Sequence, residues 1–170
     1  IDKVLIFPRS DLKAIGKYAF FACANLSEIN LVVCNTLDLI GDYAFANTSR
    51  LYASDLKALL LPSSIMEMGE GVFENSGVCR VVFEAGSKLK ELPKNAFRES
   101  HNLSSVIFND NSALTTIGEY AFYNCTALSV FSNVNARIET IGAGAFYNCI
   151  YLYTLDIQDF TLKNIGAEAF

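Results

Sequence analysis

The chain has no tryptophan, one histidine and three prolines among its 170 residues, and it contains no Cys-x-x-Cys pair. A single histidine without such a pair leaves no zinc ligand set of ordinary spacing. His101 lies in a predicted turn before Leu103, where a surface residue is expected, and no second histidine or nucleophile motif accompanies it. Phosphate-binding glycine loops are also missing. We therefore expect no enzyme activity, no metal and no cofactor.

Positive charge is scarce as well. Thirteen Lys and Arg residues against eighteen Asp and Glu residues give a net charge of −5. A nucleic-acid-binding surface would need a basic stripe, and an anionic membrane is disfavoured by the same count. No apolar run approaches the ~20 residues of a membrane-spanning helix, and the first residues lack a signal-peptide pattern. We expect no nucleic-acid partner and no embedded membrane segment in this chain.

What the chain does contain is a repeat that recurs from one end to the other. Successive copies of a phenylalanine, which we call the anchors, are 25, 28, 24, 25, 24 and 24 residues apart. A period in this range is typical of a solenoid. The sequence therefore predicts one elongated domain over residues 1–170. The anchors are Phe20, Phe45, Phe73, Phe97, Phe122, Phe146 and Phe170.

Three columns around each anchor have a constant character. The residue before the anchor is Ala or Val, and the residue five before it is Ile, Leu or Met. The residue three positions after the anchor has a small side chain, which we expect to lie buried inside the coil. The members of this small column are Cys23, Thr48, Ser76, Ser100, Cys125 and Cys149.

The spacing within the unit predicts a short helix followed by a strand. Ile117, Ala121 and Cys125 are related as i, i+4 and i+8, the spacing of one helix face. Glycine stands four before every anchor except at Pro93, which suits the first position of a helix and indicates no left-handed backbone there. After each helix comes a leucine and then an alternating apolar run, typical of a strand with one buried face.

These units predict an α/β repeat solenoid, a leucine-rich repeat of about seven 24–25-residue units. A parallel sheet would form one face, with strands about 4.8 Å apart, and short helices would form the other. Because the chain opens on a strand and stops at an anchor whose strand is missing, we interpret it as a fragment of a longer array.

The repeated pattern Ile-Gly-x-x-Ala-Phe-x-x-Cys-x-x-Leu-x-x-Ile-x-Leu resembles that of BspA-like leucine-rich repeat proteins. The resemblance covers essentially the whole chain. It implies a leucine-rich repeat fold and a surface-exposed or secreted bacterial protein, with relatives in parasitic protists, that binds host proteins or other cells. An extracellular or cell-surface location is the corresponding expectation.

Two stretches depart from the pattern. About five extra residues lie somewhere within 49–57, and they must loop out of the stack. Ser132 and Asn133 stand where apolar alternation is expected, which predicts a bulge or a change of register after Phe131.

The five cysteines leave two interpretations open. Cys125 and Cys149 occupy the small column of adjacent coils, so that a disulfide between them is geometrically conceivable. Thr and Ser replace Cys elsewhere in the same column, which favours buried thiols used as small apolar side chains.

The candidate site lies on the outward face of the predicted sheet. Leu60, Val82 and Ile107 would form an aliphatic ridge there. The alternative is that Val and Ile simply suit strands on either face. The full outward row is Ile6, Asn30, Leu60, Val82, Ile107, Ser132 and Asp156, and the expected flanking residues are Arg80, Glu84, Ser105 and Asn109.

The leading functional hypothesis is a non-catalytic protein-interaction module of a cell-surface or secreted protein, with a host or cell-surface protein as its partner. A passive spacer with no site is the alternative. A carbohydrate-binding module is a second alternative, because tyrosines flank the anchors and could stack on sugar rings, although we expect these rings to cover the helix side instead. They are Tyr18, Tyr43, Tyr120, Tyr123 and Tyr147.

Overall fold

A computed structural model of the protein describes residues 1–8, 10–52, 57–133, 137–157 and 161–170. The chain winds into a solenoid with two parallel ladders. Each coil runs from a strand of the first ladder, through a two-residue strand of the second, to the turns around its anchor, and we name the coil after that anchor. The parallel solenoid predicted from the repeat is confirmed.

The main sheet collects the alternating apolar runs. Strands β5 (Leu59–Leu61), β7 (Arg80–Phe83), β9 (Ser105–Phe108), β11 (Val130–Asn133) and β13 (Thr154–Ile157) pair in parallel in that order. A separate pair is formed by β1 (Lys3–Val4) and β3 (Glu28–Ile29), which the 3₁₀ helix η1 (Leu31–Val33) follows. The main sheet is thus interrupted between β3 and β5.

A second ladder of two-residue strands runs just before the anchors. Its members are β2 (Ala14–Ile15), β4 (Leu39–Ile40), β6 (Glu67–Met68), β8 (Glu91–Leu92), β10 (Thr116–Ile117), β12 (Thr140–Ile141) and β14 (Asn164–Ile165). The Gly118 N–H donates to the Leu92 carbonyl at 2.8 Å, and the corresponding glycines of other coils do the same. Pro93 has no N–H to give to Met68, and the ladder divides there into β2-β4-β6 and β8-β10-β12-β14.

The prediction of short helices around the anchors is wrong. Within the described ranges the only helix is η1, and the anchor segments are built from turns. In the Phe122 coil, Tyr120 and Asn124 have φ of 54° and 57°, which no α-helix tolerates. The N–H groups of Tyr120, Phe122 and Asn124 donate to carbonyls of the next coil, whereas those of the residues between them bond three residues back.

This alternation explains why the spacing misled the helix prediction. Each turn takes four residues, so that the side chains at i, i+4 and i+8 point inward, as they would on a helix. The left-handed positions lie two before and two after the anchor, where Gly71, Gly144, Asn75 and Asn148 suit them.

Glycine precedes the turns because neighbouring coils approach closely. The glycines four residues before the anchors have no positive φ, as the proline at the same position of one repeat predicted. A Cβ on Gly118 would instead lie 2.7 Å from the Lys94 nitrogen, and one on Gly69 would lie 2.2 Å from the Asp42 nitrogen. Such backbone contacts exclude a side chain.

The anchors form the centre of the core. Phe45, Phe73, Phe97 and Phe122 are fully buried, and their rings stack nearly parallel at 5.3–5.4 Å between centroids. The small column lies beside them, as predicted. Four of its side chains donate to anchor carbonyls, for instance Ser100 Oγ to Phe73 O at 2.8 Å.

Cys125 and Cys149 are both free thiols in this column. Cys125 Sγ donates to Phe97 O at 3.0 Å and Cys149 Sγ donates to Phe122 O at 3.1 Å. Burial raises the pKa of the Cys149 thiol to about 12, which keeps it protonated. This geometry favours the packing interpretation over the disulfide.

Two further expectations are corrected. Ile6 packs against the core, and Leu5 is the exposed outward residue of its coil. From Phe131 to Asn133, the last described residue of this stretch, the strand has no bulge, because Asn133 pairs in unbroken register with Phe108 and Ile157 and is fully buried.

Candidate functional site

The structure places the three predicted aliphatic residues side by side on the main sheet. Leu60 lies in register with Val82, and Val82 with Ile107. Leu60 is 42% exposed, whereas Val82 and Ile107 are half-buried. Ser132 and Asp156 continue the row as polar residues, so that its apolar part ends at Ile107. We call Leu60, Val82 and Ile107 the aliphatic row.

The predicted flanking residues differ in their access to solvent. Arg80 and Asn109 are exposed, and Ser105 is buried beside Arg80. The Glu84 carboxylate accepts a hydrogen bond from the Ser63 N–H at 3.1 Å, and it therefore holds the start of the neighbouring turn. Of these four residues, Arg80 and Asn109 are the ones exposed to solvent.

The interruption of the main sheet adds a feature that the sequence did not predict. The chain follows the stack as far as Tyr52, whose N–H donates to Ser27 O at 3.0 Å and whose buried Oη donates to Ile29 O at 2.6 Å. It returns to the sheet at Leu59. The expected insertion within 49–57 includes residues 53–56, which lie outside the described residues.

A cleft of about 260 Å³ opens at this interruption. We call it the junction cleft. Leu60, the exposed end of the aliphatic row, forms one of its walls, so that cleft and row make a continuous surface. The lining residues are Glu28, Ile29, Asn30, Leu31, Val32, Tyr52, Lys57, Ala58 and Leu60.

The polar groups of the junction cleft are already paired. Lys57 Nζ lies 3.1 Å from a Glu28 carboxylate oxygen, and Lys3 Nζ lies 3.5 Å from the same atom. The hydrogen bond from Lys57 holds the pKa of the Glu28 carboxyl below its ordinary value. The Asn30 side chain bonds both the N–H and the carbonyl of Ile6. The cleft therefore offers a salt-bridged rim and an apolar wall rather than a reactive group.

A second concavity lies on the turn face, over the anchor segments. It has a volume of about 470 Å³, and we call it the tyrosine groove. Three of the five tyrosines predicted to cover this side are substantially exposed: Tyr18 by 49%, Tyr120 by 39% and Tyr147 by 40%. The groove is lined by Lys94, Asn95, Arg98, Tyr120, Tyr123, Tyr147 and Glu168.

His101 lies on the surface, as expected. Its Nε2 is 3.3 Å from a Glu99 carboxylate oxygen and its Nδ1 is 3.0 Å from the Asn124 carbonyl oxygen. In the described part of the chain, no three His, Cys, Asp or Glu side chains cluster as metal ligands would. The same residues include no helix long and apolar enough to span a bilayer.

Comparison with known sequences gives one match. A family model described as BspA type leucine rich repeat region matches residues 3–53 and 49–170, in six copies, where the anchors had suggested about seven units. No curated protein sequence matches the chain.

Solved structures share the fold across nearly the whole chain. A leucine-rich repeat protein from Eubacterium ventriosum superposes on 99% of the chain with a TM-score of 0.79 and 24% identity. One from T. pallidum superposes on 97% with a TM-score of 0.77 and 19% identity. A leucine rich cell surface protein from Faecalibacterium prausnitzii superposes on 94% with a TM-score of 0.66 and 20% identity. The chain spans 42%, 73% and 48% of these proteins respectively.

Proposed function

Because the chain belongs to the BspA-type leucine-rich repeat family, whose repeats generally act as protein-interaction scaffolds, we propose that it is a non-catalytic binding module of a cell-surface or secreted protein. Its partner would be a host or cell-surface protein, and adhesion would be its role. The cell-surface description of the similar F. prausnitzii protein supports this location.

The observation that carries the proposal is the junction cleft beside the aliphatic row. Both faces of a parallel sheet are commonly covered, so that an exposed leucine on its outward face favours contact with a partner. Protein interfaces obtain much of their affinity from a few side chains seated in desolvated pockets. A cleft of about 260 Å³ would take one large apolar side chain of the partner, with Leu60 packed against it.

The charged rim would fix the orientation of that partner. Glu28, Lys57 and Arg80 provide charges of both signs within one or two coils of Leu60. Rim charges contribute more to specificity and association rate than to affinity. A passive spacer would need no such surface, and the 42% exposure of Leu60 is evidence against that alternative.

The test is a binding screen of the chain against immobilised extracellular-matrix and host-surface proteins. We expect at least one interaction that the Leu60→Asp/Ile107→Asp variant and the milder Leu60→Asp variant both lose. Met66→Asp is the matched control, because Met66 is an exposed apolar residue outside the main sheet. Circular dichroism would verify folding of each variant.

Two results would contradict the proposal. If no protein of the panel is bound, the spacer interpretation is favoured. If Leu60→Asp binds as tightly as the parent, the partner does not use the aliphatic row.

A further inference from the structure

We propose that the tyrosine groove is a second, independent binding site, and that its ligand is a saccharide with a pyranose ring stacked on Tyr120. The groove lies on the turn face, away from the junction cleft and the main sheet. The proposal thus goes beyond the protein-binding function and does not depend on it.

The Tyr120 ring is held in place by the following coil. A Cβ built on Gly144 would lie 2.5 Å from both Cδ1 and Cε1 of Tyr120, so that glycine alone leaves room for the ring. Tyr123 contacts the same ring edge-on, with 5.7 Å between centroids. Since Gly144 and Tyr123 hold the ring, the 39% of Tyr120 that is exposed forms a fixed wall of the groove.

A second aromatic layer extends this wall. Tyr123 and Tyr147, which belong to adjacent coils, stack at 5.1 Å with their planes 8° apart. The Arg98 guanidinium carbon, one coil earlier, lies 5.4 Å from the Tyr123 centroid. The rings therefore need no reordering when a ligand arrives, which reduces the entropic cost of binding.

The polar lining suits a polyhydroxyl ligand. Lys94 and Arg98 form salt bridges with Glu119 and Glu74 and carry further N–H donors. Glu168 supplies a carboxylate acceptor, and Asn95, whose Nδ2 donates to Glu70, keeps its Oδ1 as a second acceptor. A hydroxyl both donates and accepts, so that neighbouring sugar hydroxyls match donors and acceptors placed together. A proline-rich peptide also docks in aromatic grooves, but its backbone offers mainly carbonyl acceptors and leaves Glu168 without a donor.

The size of the groove agrees with this ligand class. Small-molecule sites commonly have volumes of roughly 300–1,000 Å³. The tyrosine groove, at about 470 Å³, falls at the lower end, which suits one or two sugar rings rather than a long chain.

The chain contains a matched control for the Tyr120 ring that lies over Gly144. The Tyr43 ring lies over Gly71 just as Tyr120 lies over Gly144, with a built Cβ 2.3 Å from Tyr43 Cε1. Beside Tyr43, however, the positions of Tyr123 and Tyr147 are taken by Ala46 and Glu74. Tyr43→Ala thus removes an equivalent ring without touching the groove.

The experiment is a screen of the folded chain on an array of pyranose-containing glycans, followed by titration of the glycans retained. We expect Tyr120→Ala and Tyr147→Ala each to weaken binding roughly tenfold or more, because each removes an aromatic platform. Tyr43→Ala and Leu60→Asp should leave the affinity within about twofold, since neither residue lines the groove. The Leu60→Asp result separates this site from the proposed protein site.

Three outcomes would overturn the proposal. The first is that the array retains no glycan. The second is that Tyr43→Ala weakens binding as much as Tyr120→Ala, which would show an effect on the stack rather than on the groove. The third is that a proline-rich peptide binds the groove and displaces the glycan from it.

Discussion

Two regions of the solenoid differ on the main sheet but are alike around the anchors. One is the junction between the Phe45 and Phe73 coils, and the other is the regular stack from Phe73 to Phe146. At the junction the main sheet is interrupted and η1 stands where a strand would continue. The anchor rings nevertheless stack there at 5.3 Å and 9°, as they do at 5.4 Å and 2° between Phe97 and Phe122. The ring stack, rather than the sheet, is the feature that both regions share.

The turn-face backbone ladder is equally continuous. Across the junction, Tyr43, Phe45 and Asn47 donate N–H bonds of 2.8–2.9 Å to the next coil. In the regular stack the Phe122 N–H donates to Ala145 O at 2.7 Å. A solenoid coil can therefore leave the sheet and form a cleft while the rest of the coil stays in place. Binding features on such insertions cost the fold little.

The largest expected effect tests whether the ring stack is equivalent in the two regions. Phe45→Ala and Phe97→Ala each remove a fully buried ring stacked on both sides, and we expect each to lower the free energy of unfolding by about 3–5 kcal/mol. Urea denaturation measures both. A much smaller loss for Phe45→Ala would mean that the junction is not held by its rings. Phe20→Ala, at a half-buried anchor, should cost less.

Glycine-to-alanine substitutions, with a smaller expected effect, test the close approach of neighbouring coils. Gly69→Ala, at the junction, and Gly118→Ala, in the regular stack, place a Cβ against backbone of the preceding coil, and each should lose about 1–3 kcal/mol. Gly16→Ala is the control, because a Cβ there meets nothing within 4 Å. Thermal denaturation of the three variants gives the ranking, and equal melting temperatures would contradict it.

The smallest effect concerns a defect of the regular stack. Asn133 is fully buried, and among the described residues neither of its side-chain polar atoms has a hydrogen-bond partner. Its neighbours in register are Phe108 and Ile157. Asn133→Leu, of similar shape, should therefore stabilise the fold by about 1 kcal/mol. A loss of stability in urea would show that the amide contributes to the fold, and Ser132→Leu on the outward side serves as the control.

The sequence predicted the elements that depend on columns of side chains. The buried anchors, the small column and the adjacency of Leu60, Val82 and Ile107 all follow from the repeat, because stacked coils bring equivalent positions together. The helices were predicted wrongly because i, i+4 spacing is shared by four-residue turns. The Asn and Gly residues at the left-handed positions were the available indication of turns.

Other features could not be inferred from columns. The junction cleft depends on the hydrogen bond that holds Tyr52 against Ile29 and on η1 in place of a strand, and both are local features without a counterpart in the other repeats. The tyrosine groove depends on Gly144, because only a residue without a side chain leaves room for the Tyr120 ring. The lack of an N–H at Pro93 follows from the sequence, but its effect depends on a ladder that only the structure reveals.

The one-way hydrogen bonds of the turn face give the stack a polarity. In the Phe122 coil, the carbonyls of Glu119, Ala121 and Tyr123 accept from the coil before, and three N–H groups donate to the coil after. On this face each coil thus presents carbonyl acceptors toward the preceding coil and N–H donors toward the following coil. Neighbouring coils can therefore pair on this face in one orientation only, because a reversed coil would set carbonyl against carbonyl.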